Sequence, residues 1–167
     1  MRPVTEQNFG ILIAYVLPGW IALLGVGEFS PDIRMWLGTA NRETTIGGFL
    51  YSTMSAVALG LVLNTVRQAA VESTSKWCRP MNLSRDYRVL HDRIEAVDFL
   101  VLNQFRYHQF HGNSAIACSF TLCVLASHGS ISDGMAFAIL ALIGVMVYGA
   151  AKCLSIYYNR LREVLAE

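Results

Sequence analysis

Four apolar stretches divide this chain, and the length of a bilayer is the constraint they impose. Residues 9–29, 46–66 and 135–156 are each long enough to cross a hydrocarbon core, which takes about 20 residues. The fourth stretch, 114–127, is shorter, but a polar and aromatic approach extends it to a span at 108–127. Four crossings put the N-terminus, the segment 67–107 and the C-terminus on one face. Of the 13 Lys and Arg, that face holds 11, and the opposite face holds only Arg34 and Arg42. The positive-inside rule then places both termini in the cytoplasm. The expectation is an all-α membrane protein: one domain, 1–167, of four transmembrane helices with the lipid bilayer as solvent.

Composition agrees. Charged residues make up 15% of the chain, where a soluble domain carries about 25%. The net charge of +1 and the absence of a basic patch speak against a nucleic-acid partner. Cys78, Cys118, Cys123 and Cys153 have neither metal nor redox spacing and are expected to be reduced, small apolar packing residues. The first apolar run is long, carries Glu6 ahead of it and is interrupted by Pro18-Gly19, so it is expected to stay as a membrane helix beginning after Asn8.

Pro18 removes one helical hydrogen bond and leaves the carbonyl of Ala14 without its usual partner. In lipid, a neighbouring helix, a side chain or water must supply that partner. Pro18 and Gly19 are the candidate hinge, with a static kink as the plainer reading. Outside the membrane, 30–45 reads as a loop with Trp36 as an interfacial anchor. Glu28 is open to pairing with Arg34 or Arg42, to a pore mouth, or to simple solvation, and the last is expected.

In the second span Ser52, Ala56, Gly60 and Asn64 recur every fourth residue and share one face, a signature of close helix packing. Whether the partner helix is in the same subunit stays open. Arg67 continues that face and is expected to snorkel to the cytoplasmic interface. The polar run 72–76 and Pro80 read as a helix end and a loop. From Arg85 a helical stripe of Leu90, Ile94, Val97 and Val101 continues through Gln104, His108 and His111. It predicts a cytoplasmic amphipathic helical extension feeding the third span, with Gly112 as its bend. A tight turn at His128-Gly129-Ser130 makes the third and fourth spans a hairpin, capped by Ser132 or Asp133. Gly134, Ala138, Ala141 and Gly149 give the fourth span its own small-residue face.

The segment Asn103–Asn113 carries the densest chemistry. His108 and His111 share a face, but two imidazoles are too few for a closed zinc site, so no metal and no cofactor are expected. Arg106 and His111 match a loose Arg-x4-His nuclease spacing that arises often by chance. The plainest reading is a polar interface hydrogen-bonded between helices. Polar groups at membrane depth also face bundle interiors or wet cavities, which makes Asn64, Gln104, His108 and His111 the pore or gate candidates. No catalytic motif is found, and an enzyme is not expected.

The stretch Asn8–Gly19, the Gly47-Gly48-Phe49-Leu50-Tyr51 start of the second span and the Asn103–Asn113 segment resemble a group of small, uncharacterised bacterial four-span proteins. That resemblance implies a bacterial inner-membrane location and brings no activity or site residue with it. Small multi-span proteins with little soluble mass also serve as membrane-disrupting effectors in antiphage systems, a likeness of size and layout alone. The expected function is a homo-oligomeric channel or pore-type effector gated from the cytoplasm. The rival is a non-conducting accessory subunit that anchors a cytoplasmic protein partner through 85–106. A membrane enzyme using Arg106 and the histidines is a weaker third.

Overall fold

The computed structural model describes residues 6–38, 45–78 and 93–166. Every regular element among them is helical: α1 (Glu6–Gly27), α2 (Pro31–Trp36), α3 (Ile46–Cys78), α4 (Ile94–Leu100), a π-helical turn (Val101–Phe105), α5 (Arg106–Ser127) and α6 (Asp133–Ala166). Three of these, over Ile46–Ala70, Arg106–Ser127 and Asp133–Val164, are long and apolar enough to cross a bilayer, which supports a membrane protein. The apolar described part of α1, Ile13–Gly27, is shorter.

The helices are not arranged as a closed four-helix ring. α1 packs between α3 and α5, and α6 packs on the far side of α5. Small residues set this layout. Ala22 and Ala117, 2% and 0% exposed, meet with Leu63 at the centre, so helix axes approach closely where larger side chains would hold them apart. Ser52, Ala56 and Gly60 are buried against α1. A Cβ on Gly60 would run into the backbone of Tyr15, and one on Gly19 into the backbone of Ala56. The partner of this small-residue face is therefore α1 of the same chain.

α6 is the exception. Only 6% of its most apolar window is buried, against 39% for α5. Gly134, Ala138 and Ala141 are exposed, and a Cβ at Gly134 would meet nothing within 4 Å. Gly149 alone of that series packs within the chain, beneath the ring of His111.

Local chemistry explains the ends. Helix α1 already includes Glu6, so Asn8 lies inside it rather than capping it. The stretch expected as loop contains α2, because Ser30 accepts from the Ile33 N–H and Pro31 occupies the first turn, where its missing N–H costs nothing. Glu28 reaches Arg34 at 2.7 Å rather than standing alone in solvent. That pair is partly exposed, so Glu28→Gln should cost at most about 1 kcal/mol in denaturant titration. Trp36 stacks on Tyr51 with ring centroids 5.4 Å apart, tying α2 to the start of α3. After α5, Gly129 adopts φ +65° while the Ser130 and Gly129 N–H groups return to Leu125 and Ala126, a Schellman stop that only glycine enters without strain. Ser132, rather than Asp133, caps α6.

Two further sequence expectations are corrected. The polar run 72–76 does not end α3, which continues to Cys78, because helical backbone bonding does not require apolar side chains. Helical bonding continues unbroken through Gly112. The irregularity sits instead at Val101–Phe105, where the Arg106 N–H reaches back five residues to Val101. Of the expected stripe, Ile94 is exposed, Val97 and Val101 are half-buried, and Leu100 is the buried residue. Arg85 and Leu90, the expected start of the extension, lie outside the described residues.

Candidate functional site

The contacts Tyr15–Gly60, Ala14–Asn113 and His108–Ala150 gather parts of α1, α3, α5 and α6 around one junction. A buried polar chain crosses this junction. On α3, Asn64 Oδ1 accepts from Arg67 Nη2 at 3.0 Å. Arg67 Nη1 lies 3.1 Å from His108 Nε2 on α5. His108 Nδ1 lies 2.9 Å from the carbonyl oxygen of Ala150 on α6. Arg67 and His108 are 6% and 4% exposed.

The two outer partners determine the state of the imidazole. A carbonyl only accepts, so Nδ1 carries hydrogen and donates. A guanidinium only donates, so Nε2 offers a lone pair. His108 is thus the neutral Nδ1–H tautomer, and each ring nitrogen is used.

Arg67 enters this position because Gly112 leaves room: a Cβ there would lie 2.6 Å from Arg67 Cδ. Among the described residues its hydrogen-bond partners are both neutral, and its Nε has no acceptor. Asn113 Oδ1 and Ser114 Oγ, next along α5, are also buried without a partner among the described residues. A guanidinium bonded to neutral groups alone is costly to bury, so its position depends on those bonds being kept.

A second set of polar contacts seals α1 to α5. Asn113 Nδ2 donates to Ala14 O at 3.0 Å, which is the carbonyl that Pro18 leaves without a helical partner. Two turns on, Thr121 Oγ1 donates to Ile21 O at 2.8 Å. Polar side chains on α5 therefore read the backbone of α1.

Of the four pore or gate candidates, the structure brings Asn64 and His108 together, through Arg67. His111 is half-buried; its Nδ1 donates to Tyr107 O in its own helix at 2.6 Å and its ring lies on Gly149. Gln104 is half-buried in the π turn. Neither joins the Arg67 chain. Phe105, from the same turn, sits between His108 and Tyr157 at ring-centroid distances of 5.9 and 5.5 Å. Pro18 is buried, and Gly19 is buried against Ala56 in the α1–α3 contact. Among the described residues, no three His, Cys, Asp or Glu side chains gather as a metal site.

No family model matches the chain, nor does any curated protein or solved structure. The geometry of the junction is therefore the ground for a functional reading.

Sequence reasoning missed Arg67 and Asn113. The sequence predicts that Arg67 snorkels outward, yet it shares the face of Asn64 and turns inward to His108. The signal for Asn113 was present: Pro18 demands an external donor for Ala14, and an amide side chain in a neighbouring span is the ordinary source.

Proposed function

We propose that this chain is a four-span protein of a bacterial inner membrane, with both termini and the segment 67–107 cytoplasmic, that assembles with copies of itself into a channel or pore-type effector. Charge asymmetry supports the orientation. The 22 residues of α1 extend about 33 Å, enough for the fourth crossing. The observation that carries self-assembly is α6: a membrane-length helix held on one side by α5, with Gly134, Ala138 and Ala141 presented outward. Close packing of small residues is how helices associate in lipid. A conducting path would then form between subunits, since Asn64 and His108 are already bonded within one chain.

The same bonding favours a second reading, a non-conducting accessory subunit whose polar groups serve only to hold it together. Purified protein in liposomes separates the two. The channel reading expects ion or dye release that disappears in Gly134→Leu/Ala141→Leu. Those substitutions meet open space at Gly134 and an exposed face at Ala141, so the chain itself should fold unchanged. A uniform oligomer that leaves the liposomes sealed would favour the accessory reading. A monomer would remove self-assembly from both.

A further inference from the structure

The Asn64–Arg67–His108–Ala150 chain is a hydrogen-bonded path that runs from α3 through α5 to α6. Its central link depends on one lone pair. Nε2 of neutral His108 can accept from Arg67 Nη1, whereas a proton added to Nε2 would set two N–H donors and two positive charges against each other across 3.1 Å. The groups facing this link offer no relief. On α3 they are Arg67 and Asn64, and on α1 Tyr15 acts on Arg67. On the preceding turn and α5 they are His111 and the Phe105 ring; on α6 they are the Ala150 carbonyl, with Lys152, Cys153 and Tyr157 nearby in sequence. None of these described groups is a carboxylate.

We infer that His108 is a proton-operated latch: protonation at Nε2 expels Arg67 and frees the distal half of α3 from the α5–α6 hairpin. The proton comes from water at the adjacent helix ends. Nδ1–H keeps donating to Ala150 O, now from a cation and so more strongly, which holds α5 to α6. Arg67 has somewhere to go. It lies three residues from the end of the apolar stretch at Ala70, within reach of headgroup water by snorkelling. The part of α3 before Gly60 stays clamped on α1 by its small-residue contact, so the motion is a splaying of the helix end beyond Gly60. This inference concerns the fold of one chain and stands whether or not the assembly conducts.

The test is the distance between spin labels at Ala69→Cys on α3 and Ser155→Cys on α6, both exposed positions, in a chain whose native cysteines are replaced by alanine, held in lipid nanodiscs. Between about pH 8 and about pH 4, a range carried below histidine's ordinary one because burial and the facing guanidinium oppose the added charge, the distribution should move reversibly to longer distances by more than its width at the higher pH. His108→Gln, which keeps an acceptor for Arg67 and does not titrate, should abolish the shift. Arg67→Gln should abolish it too, because an amide oxygen can accept from a protonated Nε2; this variant carries the test if His108→Gln does not fold. An unchanged wild-type distribution, or a shift that survives in either folded variant, would overturn the latch.

Discussion

Gly60→Ala should separate α1 from α3 and leave little folded protein at temperatures the parent chain tolerates. The added methyl has no room: its carbon would lie 2.7 Å from the carbonyl carbon of Tyr15 and 3.1 Å from Tyr15 Cα. Both are backbone atoms, so no side-chain rotation relieves the clash and the helices must move apart. Gly19 faces the same contact from the other side, its virtual Cβ 2.7 Å from the carbonyl carbon of Ala56 and 3.0 Å from Gly60 N. Overpacking a core commonly costs about 1–3 kcal/mol, and a clash with backbone belongs at or above the top of that range. Against a total stability of about 5–15 kcal/mol, that is a large fraction. Gly134→Ala is the matched control. It adds the same methyl to a helix in open space, and should change stability by no more than about 0.5 kcal/mol. Unfolding in mixed micelles at increasing denaturing detergent would compare the two, and coincident midpoints would show that the α1–α3 crossing is looser than described.

Asn113→Ala should be costly only while Pro18 is present. Asn113 is 0% exposed and its amide nitrogen satisfies Ala14 O, the carbonyl that proline leaves open. Removing the amide strands a carbonyl in an apolar interior, a penalty of about 1–3 kcal/mol. Pro18→Ala restores an N–H at position 18, which can close the helical bond to Ala14 by itself. In that background the loss of Asn113 should fall, giving a coupling of about 0.5–2 kcal/mol in a double-mutant cycle. Strict additivity would mean that Asn113 stabilises the bundle by filling space rather than by answering the proline. The cycle also bears on the hinge reading of Pro18-Gly19. A carbonyl bonded to a neighbouring helix, beside a glycine clamped on Ala56, describes a kink held in place.

Much of this architecture was legible because it rests on local chemistry. Apolar run length sets where helices form. The position of Gly129 sets where α5 stops, and Ser132 where α6 starts. The recurrence of Ser52, Ala56 and Gly60 marks a contact face, since side chains four apart stack on one side of a helix. Even the need of the Ala14 carbonyl for a partner followed from a single proline. What local chemistry could not supply was the identity of the partners. Arg67 shares a face with Asn64, but whether an arginine near a helix end turns outward to water or inward to His108 depends on the space that Gly112 leaves on another helix.

α6 shows the division most clearly. Its sequence is as apolar as a span can be and carries small residues at helical spacing, which reads equally well as a buried helix or as an outer one. Only the three-dimensional arrangement reveals that α1, not α6, lies at the centre, and that Gly149 alone of that series is used within the chain. Sequence alone determined that these residues form helices of membrane length, because backbone hydrogen bonding and hydrophobicity are properties of neighbouring residues. Tertiary structure decided which helices touch, which tautomer His108 adopts and where Arg67 points, because those depend on shape and spare hydrogen-bonding groups that residues far apart in the chain present to one another.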